Sequence, residues 1–179
     1  WSHSQFMKWS SSVSENESLV EAIDECASKV REDLGGDLPD LVVGFASAEH
    51  EAEYGNVPHL INEALNGRMF IGCSGGGVIG EGREVEHKAG FALTAAVLPD
   101  VQLTSFHVED GAMPDGDAPP DSWKDMIDVE ADTSLHFLLL VDPFSIRGEY
   151  LVMGLDYTFP TGVKIGGLAS GGRQPGDNA

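Results

Sequence analysis

The chain has 179 residues, enough for a domain with its own core, and 41% of them are hydrophobic, which excludes a disordered chain. Acidic residues number 30 against 10 Lys plus Arg, a formal net charge of -20 that repels phosphate backbones and anionic lipid. We read the acidity as solubility and expect neither a nucleic-acid nor a membrane partner.

The first residues, Trp1-Ser2-His3-Ser4-Gln5-Phe6, resemble a streptavidin-binding peptide tag, so residues 1–6 read as a tag remnant and Met7 as the natural start. Ser14 reads as an N-cap with Glu15 and Glu17 in the first turn after it. Leu19, Ile23, Cys26, Ala27, Val30 and Leu34 then recur at helical spacing until Gly35-Gly36 stops the run. Cys26 on this helix reads as a small buried hydrophobe. After Pro39-Asp40, Leu41 to Ala46 has the pattern of a buried strand. Ser47, His50 and Tyr54 leave that strand in an acidic stretch that reads as a solvated polar loop. A second helix runs from Val57 to Leu65 and ends at Asn66-Gly67, and Met69 to Ile71 is the next strand. Strand, helix and strand in that order make a βαβ unit with parallel pairing.

The strand ends in glycines: Ile71-Gly72-Cys73-Ser74-Gly75-Gly76-Gly77. Val78 to Val85 reads as extended with turn residues inside it. Phe91 to Leu98 and Leu103 to Val108 read as two strands of an antiparallel hairpin joined through Pro99-Asp100. Residues 109–122 are loop, and a short helix covers Asp121 to Ile127. The acids from Asp121 to Asp132 read as a solvated face rather than a metal site. Leu135 to Val141 is again a strand. Asp142-Pro143-Phe144-Ser145 is a turn in which Ser145 can cap a helix over Ile146 to Leu155. Val163 to Ile165 is a strand that runs into Gly166-Gly167-Leu168-Ala169-Ser170-Gly171-Gly172. Phe45 to Ile71 spans 26 residues and Leu140 to Ile165 spans 25, so the second βαβ unit repeats the first. The fold class is therefore α/β: a mixed sheet with two βαβ-like units and an antiparallel hairpin, helices packed on the sheet.

A strand that ends in consecutive glycines leaves backbone N–H groups with no side chain over them, a good setting for an anion or small polar ligand. Gly75-Gly76-Gly77-Val78-Ile79-Gly80 fits the dinucleotide fingerprint, but Gly80-Glu81-Gly82 is a poor start for the helix that the fingerprint needs. Gly72-Cys73-Ser74-Gly75-Gly76 fits the nucleophile elbow, which also needs a helix after its serine. Cys73 beside free N–H groups would have a stabilised thiolate, with His87, His107 or His136 as base; the plainer reading is a small residue filling space beneath a ligand or a neighbouring strand. Arg83 and Arg173 each come shortly after a glycine run, where a guanidinium suits a carboxylate or phosphate. Asp142 ends a strand on the edge where α/β sheets bind ligands. Two cysteines without histidines at ligand spacing make no zinc site, so the expected metal and cofactor content is none. No apolar run reaches membrane-span length and no secretory signal is visible, which together read as a reduced, cytoplasmic chain.

These residues together resemble the FIST N-terminal domain family, named for F-box and intracellular signal-transduction proteins. The likeness is carried by Met7-Lys8-Trp9-Ser10-Ser11, the run from Ile71 to Gly80, Gly82-Arg83-Glu84-Val85-Glu86, Asp142-Pro143-Phe144-Ser145, Gly154-Leu155-Asp156-Tyr157 and the run from Ile165 to Gly172. It covers nearly all of residues 7–179. The resemblance implies a sensory module for small ligands such as amino acids or their derivatives, without established catalytic residues to carry over. It also implies a C-terminal FIST domain that this chain lacks, so that residues 7–179 read as the first part of a longer protein. The function expected is a non-catalytic, small-ligand-binding domain of signal transduction. Backbone N–H groups at Gly75, Gly76, Gly171 and Gly172 would hold the acidic end of an amino acid or other carboxylate, with Arg83 and Arg173 neutralising its charge and Asp142 holding an amine; Cys73, Ser74, Gly77 and Ser170 complete the expected ligand-binding set. The alternatives are a hydrolase or transferase using Cys73 or Ser74, and a protein-recruiting scaffold.

Overall fold

The computed structural model describes residues 6–129, 135–174 and 176–178. The described residues form two compact units. The first runs to Leu103 and takes in Ser170–Arg173, Asp177 and Asn178; the second comprises Thr104–Ala169 with Gln174 and Gly176.

The first unit is built on a four-stranded mixed sheet in the order β1-β6-β2-β3. The strands are β1 (Lys8–Ser14), β2 (Leu41–Ser47), β3 (Met69–Gly75) and β6 (Phe91–Val97). β2 pairs parallel to β3, with Leu41 opposite Met69, and antiparallel to β6, whose other edge takes β1 antiparallel. α1 (Leu19–Asp33) places Leu19, Ala22, Ile23, Cys26, Ala27 and Val30 inward. With Ile61 and Leu65 of α2 (Val57–Leu65) they form one core with Val42, Ala46, Phe91 and Leu93 of the sheet. Each fully buried large aliphatic side chain here contributes roughly 1.5–3 kcal/mol. Asn66 closes α2 in the left-handed conformation, φ 48°, as the Asn66-Gly67 pair predicts.

Two expectations for this unit need correction. Ser14 does not cap α1. It ends β1, and the cap is Ser18, whose hydroxyl accepts from the Glu21 N–H. β1 is rich in serine, so it lacks the apolar alternation of an ordinary strand. Its buried face is Ser10, Ser12 and Ser14, and Ser10 and Ser14 are satisfied by the carboxylates of Asp33 and Glu25 on α1. The hairpin is also placed differently. Pro99-Asp100 does turn the chain, with Asp100 at φ 63° and Val101 N–H donating to Leu98 O, but Leu103 to Val108 form no strand. Phe106 and Val108 instead pack into the core of the second unit. The antiparallel hairpin is β4 (Gly77–Gly80) with β5 (Arg83–Glu86), joined through Glu81 and Gly82, both at positive φ as a two-residue hairpin turn requires. Val78 and Val85 pack it onto Val13 and Ala92.

The second unit repeats the strand-helix-strand pattern. β7 (Phe137–Val141) and β8 (Lys164–Leu168) form a parallel two-stranded sheet, with Phe137 opposite Lys164. α4 (Gly148–Thr158) joins them, and α3 (Pro120–Met126) precedes β7 in the chain. Trp123, Ile127, Phe137, Leu139, Leu151, Leu155 and Phe159 make a core of aliphatic side chains and aromatic rings. Gly154 stands where a Cβ would collide with the Trp123 ring, so the helix carries glycine to admit the indole. The residue before α4 is Arg147, not Ser145, whose hydroxyl is held by the Asp142 carboxylate. Asp121, Asp125 and Asp128 are exposed, as a solvated face requires, while Glu130 and Asp132 lie outside the described residues. So do residues 1–5 of the expected tag remnant, Pro175 and Ala179. Among the described residues no helix is long and apolar enough to cross a membrane.

Candidate functional site

Both ends of the site lie in the first unit. β3 is an edge strand, and its exit carries Ser74 and Gly75. A side chain at Gly75 would put its Cβ 2.7 Å from the Gly77 carbonyl oxygen, so the tight passage from β3 to β4 needs glycine there. Ser170 to Arg173 return to this point. Ser170 N–H donates to Ser74 O at 3.1 Å, and Gly76 N–H donates to Ser170 Oγ at 2.9 Å. Gly171, at φ 101°, has Gly75 O at 3.2 Å from the place of a Cβ; the backbone conformation and the close approach both select glycine.

The two glycine runs are therefore together, but their amides are not bare. The Gly172 N–H donates to Asn178 Oδ1 at 2.8 Å, the Arg173 N–H to Asp177 Oδ2 at 3.0 Å, and Ser74 Oγ to Asn178 Oδ1 at 3.3 Å. Asn178 Oδ1 thus sits between a hydroxyl on the first run and an amide on the second, a place the sequence reading leaves to a ligand.

Beside Ser74 is a pocket of about 120 Å³. Gly44 and Gly72 face each other in register at its floor, and Ala46, Phe70, Phe91, Tyr54, Val57 and Pro58 complete the walls with Cys73 and Ser74. The wall from Tyr54 to Pro58 comes from the 3₁₀ segment Ala48–Asn56 and the start of α2. The segment after β2 is a polar stretch with Glu49, Glu51, Ala52, Gly55 and Asn56 exposed, but the three residues singled out there turn inward: Ser47 is 1% and His50 2% exposed, and Tyr54 is half-buried. The Ser47 hydroxyl accepts the Gly90 N–H, and the Tyr54 hydroxyl donates to Ser47 O at 3.1 Å. Burial, reinforced by the Glu51 carboxylate, pushes the Tyr54 phenol up to about 12. Burial lowers the His50 imidazole below its ordinary value, against the opposing pull of Glu53 and Glu49, so the ring stays neutral.

Cys73 lies on the pocket rim, but burial pushes its thiol up to about 11, the reverse of the stabilised thiolate expected from the neighbouring N–H groups. His87, His107 and His136 are exposed, and His136 Nδ1 accepts the Val163 N–H within the second unit. The chain passes from Ser74 into β4 rather than into a helix, so neither the nucleophile elbow nor the dinucleotide fingerprint has its structural context. Arg83 is engaged at the hairpin, donating to Val13 O and facing Glu81 at 3.6 Å and Glu15 at 3.9 Å. Asp142 belongs to the second unit, where Phe144 N–H and the Ser145 hydroxyl donate to its carboxylate. Sequence reasoning brought out Ser74, the glycines and Ser170. It missed the pocket and Asn178. The register match of Gly44 with Gly72 is the one signal for the pocket: bare positions side by side on adjacent strands let the Phe70 ring lie flat over the sheet, and the pocket opens beside it.

The first unit is thus an α/β unit with a pocket against an edge strand and a glycine-rich segment that returns to that strand's exit. The model of the FIST N domain family matches residues 40–178, and the chain belongs to that family. It is also similar to uncharacterized proteins of mycobacteria. One from Mycobacterium tuberculosis is 28% identical over 160 residues, covering 86% of this chain and 38% of the relative. One from Mycobacterium bovis is 25% identical over 156 residues, with the same coverage of each. The chain thus spans well under half the length of these curated relatives. No solved structure matches it.

Proposed function

We propose that this chain is the ligand-binding part of a sensory module, non-catalytic, in which a small molecule rests at the junction of Cys73–Gly77 with Ser170–Arg173. The FIST domain family is linked to sensory roles in signal transduction. The observation that carries the reading is the meeting of the two glycine runs through Ser170, beside a pocket with a hydroxyl, Ser74, at its polar end. A pocket lined by apolar side chains and a few convergent polar groups is the usual form of a small-ligand site. An amino acid or a derivative of one is the ligand class that the family resemblance favours. Arg83 and Asp142 are not needed by this reading. The raised thiol of Cys73 weighs against the enzymatic alternative. A reducing, cytoplasmic setting and a C-terminal FIST domain as partner belong to the same proposal; Cys26 and Cys73 are both free thiols.

The test is native mass spectrometry of gently purified protein. A small molecule retained by the folded chain and released on unfolding supports the reading. Its absence from protein purified under several conditions, together with fast labelling of Cys73 by a thiol reagent, overturns it in favour of an enzyme.

A further inference from the structure

The hydroxyl of Ser74, a residue that lines the pocket, already holds a guest, and its chemistry is informative. Asn178 Oδ1 takes the hydrogen bonds of Ser74 Oγ and Gly172 N, at 3.3 and 2.8 Å. That guest is a neutral carboxamide oxygen. Ser74 is 2% exposed, so its hydroxyl is a built part of the protein interior and not a surface group. Both donors are uncharged. The return segment carries one Arg, Arg173, but also Asp177, whose carboxylate accepts the Arg173 N–H. The cation and the carboxylate offset each other within one turn. Over longer range the chain's net charge of -20 opposes a further anion. A carboxylate arriving here would lose its hydration to two neutral donors in an acidic field, whereas a carbonyl oxygen gives up less water for the same two hydrogen bonds.

The pocket next to these donors fixes the size of what the oxygen is attached to. Its volume is about 120 Å³. A dry apolar cavity of about 150 Å³ accepts benzene, so this one suits a group slightly smaller, of the order of a branched aliphatic chain of four carbons. Phe70, Phe91, Val57 and Pro58 offer such a group apolar contact.

Building on the ligand-binding reading above, we propose that Ser74 Oγ and Gly172 N form a two-donor cradle for a neutral carbonyl oxygen of a small amide whose compact apolar group fills the adjoining pocket, and that Asn178 occupies the cradle until the ligand displaces it.

The experiment uses the 179-residue chain and two isosteric probes, 3-methylbutanamide and 3-methylbutanoate, titrated at pH 7 with backbone amide NMR as the readout. Probes this small bind weakly, with dissociation constants of about 1 mM or above. The amide should bind about tenfold more tightly than the carboxylate. Ser74→Ala should abolish that preference. Val57→Phe, which fills the pocket, should abolish binding of both. Asn178→Ala removes the competing guest and should tighten the amide about threefold or more; the side chain is partly exposed, so this variant keeps the test alive if a pocket variant fails to fold. Equal or tighter binding of the carboxylate, or an amide affinity unmoved by both Val57→Phe and Asn178→Ala, overturns the inference. A co-purified molecule whose retention survives Val57→Phe overturns it while leaving the ligand-binding reading intact. Silence of both probes on protein that also retains no small molecule overturns both.

Discussion

The two βαβ units share one plan and both use glycine to admit an aromatic ring, but the first keeps a pocket beside its ring. In β2-α2-β3, Gly44 and Gly72 lie side by side on the sheet with the Phe70 ring over both, 3.0 and 2.9 Å from the place of a Cβ, and a pocket remains beside that ring, walled by Tyr54 and Val57. In β7-α4-β8 the glycine is on the helix, at Gly154, and the space it opens is filled by the Trp123 ring, which packs against Tyr150 at 5.8 Å between centroids. Interiors pack to crystal-like density, so an unfilled volume beside an edge strand is a feature to be explained, and a filled one is structural. A repeated strand-helix-strand order sets where a site can form; which side chains stand over the sheet determines whether one does.

The contrast makes graded predictions. The largest effect is expected at the filled unit: Trp123→Ala, at 3% exposure, should cost about 3–5 kcal/mol in urea unfolding. Gly154→Ala should come next at about 3 kcal/mol, because its Cβ has no room against the indole. If both changes prove nearly neutral, the second unit is not packed as described and the contrast is lost. At the glycine junction, Gly171→Ala forces a side chain into φ 101° and should cost about 1 kcal/mol, with shifts in the amide resonances of Gly75 and Gly76.

A smaller effect concerns pH. Burial lowers the folded-state pKa of His50 below its unfolded value. The unfolded chain then binds the proton first, so the contribution of His50 is full above about pH 6.5 and erodes as pH falls from there toward the folded pKa. Urea midpoints compared between pH 7.5 and 5.5 should fall for the native chain and fall less for His50→Asn. The smallest effect has the opposite sign. Val57→Ile adds one carbon toward the pocket and should stabilise by about 0.5 kcal/mol, as filling a real void does. Clear destabilisation there would mean that the first unit is as tightly filled as the second.

Much of this was legible in the residues. α1 and α2 announce themselves by apolar spacing, and the range Val57–Leu65 read from sequence is the one observed. Both βαβ units derive from buried-strand runs flanking α2 and α4, and the meeting of Ser74–Gly76 with Ser170–Gly171 derives from the repeat. β1 was hidden because its inward positions are serines whose acceptors, Asp33 and Glu25, sit on a helix that local pattern cannot connect to it. The strand expected after Asp100 failed because Phe106 and Val108 bury their side chains in a core elsewhere, which alternation alone does not distinguish from strand pairing. The pocket was out of reach for a similar reason: its walls come from residues spread between Gly44 and Phe91 that become neighbours only once the sheet and α2 are assembled. Asn178 carries no local signal at all; its role depends on where the return segment ends up.

The most direct measurement is the map of backbone amide shifts produced by saturating 3-methylbutanamide. A ligand in the cradle predicts saturable changes at Gly72–Gly76 and at Ser170–Asn178, with Tyr54 and Val57 moving alongside and α4 still. Changes centred on α4 and β8, or none at concentrations of about 50 mM, well above the millimolar dissociation constants expected for so small a ligand, would contradict it.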